Sequence, residues 1–142
     1  MINHDKYIID KEKKNMEKIA LCACSGMNPR GQVARAAVND LSEENENNKI
    51  CCIVATAGGK QKYIDLAQNH KIIAINGCTQ NCTTTLLKQK QATVNKVIIV
   101  PEVLEKEGLT PENTVRMNEN DEKCVDIIKK EILKVRKELT DE

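Results

Sequence analysis

The chain has 142 residues, 40% of them hydrophobic and 30% charged, with a net charge of +1. That length suits one domain able to bury roughly two-thirds of its surface without disulfides. Near-neutral charge and only two aromatic side chains, Tyr7 and Tyr63, argue against a nucleic-acid surface, an anionic-membrane surface or a base-stacking platform.

No apolar run approaches the roughly 18 residues of a membrane span. Residues 1–17 are polar and Lys/Glu-rich, unlike a signal peptide, and read as a tail or a short docking helix. Met16, directly before the first strand, is an alternative start. A single domain is expected over residues 18–142. The seven cysteines are the anomaly of the composition. In the cytosol, the compartment this N-terminus implies, they stay reduced and serve as core fillers, metal ligands or reactive thiols.

Lys18 to Cys24 is an apolar run halted by Ser25-Gly26 and reads as a buried strand. Asn28-Pro29 is a helix cap followed by proline at the first helical position. Val33, Ala34, Ala37, Val38 and Leu41 then recur at helical spacing. A polar loop covers residues 42–49. Ile50 to Thr56 is a second continuous apolar run, read as a strand and broken at Gly58-Gly59. Lys60 to Asn69 reads as a helix with Tyr63, Ile64 and Ala67 inward. Ile72 to Ile75 is a third strand, ended by Asn76-Gly77, and Asn81 can cap a helix from Cys82 to about Lys90. Val94 to Val100 is a fourth strand stopped by Pro101. Glu102 to Gly108 forms a helical turn or two, and Thr110-Pro111 a turn or a helix start. Asp121 opens a long helix whose apolar stripe is Cys124, Val125, Ile128, Ile132, Val135 and Leu139.

Strand and helix alternate four times, which predicts an α/β fold: one open parallel sheet of about four strands with flanking helices. Ligands of such sheets bind beyond the carboxyl ends of the strands, near the point where strand order reverses. The loops expected there are Cys24-Ser25-Gly26, Thr56 to Gly59, and Gly77-Cys78 leading to Cys82. Ser25, Gly26, Gly58 and Gly59 would supply backbone or anion contacts.

Cys78 and Cys82 bracket a strand-to-helix turn, and their sulfurs can approach the roughly 3.8 Å separation that a shared tetrahedral zinc requires. The helix N-terminus at Cys82 favours thiolates. Cys24 ends the first strand, with Cys22 on the same face one layer deeper. Cys51 and Cys52, read as opening a strand, would face opposite ways, so only one could join the site. Cys124 falls on the apolar stripe and reads as core. Cys24 also begins a Cys-x5-Arg pattern ending at Arg30. That is the layout of low-molecular-weight phosphatase and arsenate reductase loops, in which the thiolate attacks and arginine holds the oxyanion. Pro29 removes one loop amide, and no Asp-Pro for a general acid occurs. Of the two histidines, His4 lies in the tail and His70 at a helix end.

CACSG at 22–26, Gly-Gln-Val-Ala at 31–34, ICC at 50–52, the glycine-rich loop at 57–59 and INGC-TQNC at 75–82 follow one another in order. Together they resemble the DGC-domain family over roughly residues 19–100. That resemblance implies zinc carried by cysteines, which transfers onto Cys24, Cys78 and Cys82. Cys52 or Cys51 would be the fourth ligand. The family's Asp-Gly-Cys stands here as Asn76-Gly77-Cys78, and Met27 stands where relatives often carry a further cysteine. The implied function is a cytoplasmic metal-binding protein acting in metal handling, in sulfur or thiol transfer, or as a subunit beside a protein partner. The alternatives are a thiol enzyme using Cys24 and Arg30, with Cys78 and Cys82 as a redox pair, and an iron–sulfur protein.

Overall fold

The computed structural model describes residues 16–112 and 115–142. The tail read over residues 1–17 and His4 therefore lie almost wholly outside the described residues. The sheet consists of β1 (Ile19–Ala23), β2 (Asn48–Ile50), β3 (Lys71–Asn76) and β4 (Lys96–Ile99), in the order β2-β1-β3-β4. All three pairings are parallel, with Leu21 opposite both Ile50 and Ile73, and Ile75 opposite Ile98. The expected parallel α/β architecture is the observed one.

The central strands are covered on both faces. Ile19 and Leu21 of β1 and Ile73 and Ile75 of β3 point to one side. There they pack with α1 (Pro29–Glu44), α5 (Val100–Lys106) and α6 (Glu119–Thr140). Ala20, Cys22, Ile72 and Ala74 point to the other side, toward α2 (Ile53–Ala57), α3 (Gln61–Asn69) and α4 (Cys82–Gln89). This two-sided burial explains why β1 and β3 are continuously apolar rather than alternating.

The Ile50–Thr56 run departs from the sequence expectation. Only Ile50 continues the strand, and Ile53–Ala57 is a short helix. The backbone amide and the hydroxyl of Thr56 both donate to the Cys52 carbonyl, at 2.9 and 2.7 Å, closing a helical turn. An unbroken apolar run has no period, so buried strand and buried helix look alike in it. Gly58-Gly59 consequently joins α2 to α3 instead of following a strand, with Gly59 at φ +82°. Two smaller corrections concern helix starts. β4 is shorter than Val94–Val100, and Pro101 lies in the first turn of α5 as well as ending the strand. The last helix begins at Glu119, two residues before Asp121.

Asn118 and Asp121 form a reciprocal cap on α6. The Asp121 amide donates to Asn118 Oδ1 at 2.9 Å, and the Asn118 amide donates to Asp121 Oδ2 at 3.2 Å. Asn118→Ala should lower stability by about 1 kcal/mol, read as a shift in the denaturant midpoint. An unchanged midpoint would show that the cap contributes nothing. Among the described residues, no helix is long and apolar enough to cross a membrane.

Candidate functional site

The chain leaves β1 for β2 on one side and later returns to β3 on the other, so strand order reverses between β1 and β3. Cys24 follows β1 at that point. Its amide donates to the Ile75 carbonyl at 2.9 Å, which carries the β1–β3 pairing one residue past the strand. The Gly26 amide donates to Cys24 Sγ at 3.2 Å. Asn28 then caps α1 by accepting from the Gly31 amide at 2.9 Å, with Pro29 at the first helical position.

Backbone packing holds the β1 and β3 loops together. A methyl group on Gly77 would sit 2.8 Å from both Cα and N of Gly31. One on Gly31 would sit 2.7 Å from the Gly26 carbonyl oxygen. Three glycines thus allow the loop after β3, the first turn of α1 and the loop after β1 to touch without side chains between them.

Cys51 and Cys52 lie immediately past β2, at the same carboxyl rim. The Cys51 amide donates to the Leu21 carbonyl at 3.0 Å, extending the β1–β2 ladder by one rung. Cys52 is the residue preceding α2. Because the strand has already ended, alternation does not separate the two. Both line a cavity of about 170 Å³, together with Cys24, Ser25, Ile50 and Val38. The premise that strand alternation sends the two to opposite faces does not hold past the end of β2.

Cys51 is buried and Cys52 half-buried. The neighbouring Cys51 pushes the Cys22 thiol up from the ordinary range, and burial raises it further, while Cys22 pulls Cys51 down. Cys51 Sγ also lies 3.5 Å from Thr56 Oγ1.

Asn76, the last residue of β3, is buried and hydrogen-bonded to α4. Its Nδ2 donates to Thr84 Oγ1 at 3.0 Å, and its Oδ1 accepts from the Thr84 amide at 3.5 Å. This clamp fixes the first turn of α4 against the end of β3, with Cys78 and Cys82 in the intervening chain. Asn81 takes the left-handed conformation at φ 57°, and Cys82 follows as the first residue of α4. Cys78 is half-buried and Cys82 exposed. Asn76→Ala leaves Thr84 unpaired in a buried site and should lower stability by about 1–3 kcal/mol. Thermal unfolding is the check, and an unshifted Tm would mean that the clamp is dispensable.

The comparisons bear on these loops. A family model described as DGC domain matches residues 20–132. The chain belongs to the DGC-domain family. Comparison with curated proteins and with solved structures gives no match. The matched span of this DGC domain includes β1 through most of α6, and with them all seven cysteines.

Not every residue singled out in the sequence reaches one place. Cys24, Cys51 and Cys52 share the cavity, and Ser25 lines it with them. Cys78 and Cys82 do not line it. Gly58 and Gly59 stand one short helix away from the rim. Arg30 lines a separate cleft with Pro101, Leu104 and Pro111, while the arginine lining the Cys24 cavity is Arg35. Cys124 is fully buried in the core between the sheet and α6. His70 ends α3, with Nδ1 2.8 Å from the Leu66 carbonyl oxygen. Sequence reading placed Cys51 and Cys52 at the foot of a strand and so missed that they belong to the rim. The one available signal was Thr56, a hydroxyl four residues after Cys52, able to bond back to its carbonyl.

Proposed function

We propose that this DGC-domain protein binds a metal ion, zinc, through cysteine thiolates at the carboxyl edge of its sheet, with Cys24, Cys78, Cys82 and Cys52 as ligands. The observation that carries this reading is the position of Cys24 and Cys78. They follow two hydrogen-bonded neighbouring strands at the reversal of strand order, where open α/β sheets take their ligands. Cys52 rather than Cys51 is the fourth ligand, because the Cys51 sulfur already engages Cys22 and Thr56.

The donors fit zinc in kind and number: four soft sulfurs, with an amide already turned toward one of them. They are not gathered around one point. Among the described residues, no group of three Cys, His, Asp or Glu side chains could hold an ion as the chains stand. Binding therefore requires the loops at residues 24–28 and 77–82 to draw inward. Bound zinc would neutralise the repulsion between adjacent thiolates. Such a protein would handle metal or sulfur, or carry the ion within a larger assembly in a thiol-reducing compartment such as the cytoplasm.

Metal analysis of anaerobically purified protein is the test. The expected result is a colourless protein with roughly one zinc per chain, bound more weakly as pH falls, because the thiols must lose protons to bind. Cys24→Ala and Cys78→Ala should lose the ion, and Cys124→Ala should keep it. A fully reduced chain that takes up no added zinc would overturn the proposal, and a brown protein would replace it with an iron–sulfur reading.

A further inference from the structure

Beneath the rim lies a thiol pair that the zinc reading does not use. Cys22 is the fourth residue of β1, and Cys51 is the first residue past β2. The register pairs Leu21 with Ile50, and the Cys51 amide bonds the Leu21 carbonyl, so Cys22 and Cys51 occupy the next rung. Both belong to the same buried cluster on the α2–α4 face of the sheet. Neighbouring strands lie about 4.8 Å apart, inside the roughly 4.4–6.8 Å Cα separation of disulfides. Cys51 also lines the cavity of about 170 Å³, whereas Cys22 does not.

We propose that Cys22 and Cys51 are a reversible dithiol–disulfide couple, oxidised by a small hydroperoxide that reaches Cys51 through the cavity. Cys51, as its thiolate, attacks one peroxide oxygen and the O–O bond breaks. The Cys51 sulfur becomes a sulfenic acid, and the departing oxygen takes up a proton to leave as water when the oxidant is hydrogen peroxide. The Cys22 sulfur then attacks the Cys51 sulfur as the S–O bond breaks, and the Cys22 thiol proton passes to the departing oxygen, releasing the second water. Two thiols and one peroxide give one disulfide and two waters. A dithiol reductant returns the pair to its starting state. The size of the cavity selects the oxidant, since a peroxide fits where a tripeptide disulfide does not. This couple does not depend on bound zinc, because neither sulfur is among the proposed ligands.

The test uses the full chain treated with stoichiometric hydrogen peroxide, followed by blocking of free thiols, trypsin digestion and mass spectrometry. Cys22 and Cys24 fall on the tryptic peptide 19–30, and Cys51 and Cys52 on the peptide 50–60. The expected product links these two peptides, and fragment ions from the unmodified chain assign the bond to Cys22 and Cys51. The link should persist in the Cys24→Ala/Cys52→Ala double variant, disappear in Cys22→Ala and reverse with dithiothreitol. A bond to Cys24 or Cys52, or four blocked thiols after peroxide treatment, would overturn it. Zinc released in the same samples is measured separately, so failure of the metal reading leaves this outcome legible.

Discussion

Gly77→Ala is expected to lower stability by about 3 kcal/mol and to weaken zinc uptake together with it. The added methyl would lie 2.8 Å from Cα and N of Gly31 and 3.2 Å from the carbonyl carbon of Arg30. All three are backbone atoms, so no rotamer change can relieve the clash. Either the loop after β3 or the first turn of α1 must move, and that displacement separates Cys78 from Cys24. Gly59→Ala is the contrasting substitution. Gly59 has φ +82° but nothing within 4 Å of its missing methyl. Its replacement strains only its own backbone, at roughly 1 kcal/mol, and should leave zinc stoichiometry unchanged. Denaturant unfolding and metal analysis of the two variants decide the matter. Equal losses at Gly77 and Gly59 would show that the close approach of the loops is unimportant.

Ile128→Ala should have a comparable or larger effect on stability, about 2–5 kcal/mol, and none on the Cys22 and Cys51 thiols. Ile128 is fully buried in the cluster formed by the sheet, α1 and α6. That cluster occupies the face opposite Cys22 and Cys51, which pack with Ile53, Ala67 and Leu87. The central strands separate the two faces, so a cavity made under α6 does not open the thiol side. At a temperature where the variant remains folded, Cys22 and Cys51 should be alkylated as slowly as in the unaltered chain, whereas Cys124 shares the altered cluster and is not part of the readout. Newly reactive Cys22 in Ile128→Ala would show instead that the two cores unfold as one unit.

The elements with a clear period were readable from the residues alone. The α1 stripe of Val33, Ala34, Ala37, Val38 and Leu41 is buried, and Asn28 and Pro29 start the helix as their chemistry requires. The α6 stripe from Cys124 to Leu139 likewise faces the core. The parallel sheet followed from the alternation of strands and helices, and the rim positions of Cys24 and Cys78 followed from the sheet. The run Ile50–Thr56 was not readable, because it is apolar at every position up to its last. Its conformation depends on where its pairing with β1 stops, and the last bond of that pairing runs from Cys51 to Leu21. Beyond that bond the chain turns into α2, which lifts Cys51 and Cys52 to the rim.

Which cysteines meet was also decided only by the tertiary structure. Cys22 and Cys51 are 29 positions apart in the numbering and become neighbours solely through the β1–β2 register. Cys24 and Arg30, close in sequence and matched to a known loop pattern, line different cavities. Local spacing determines the face of a strand or helix on which a side chain stands, because backbone geometry repeats along one element. The partner across the gap depends on strand order and on the glycine contacts that let the loops close, and those arise only when separate segments pack.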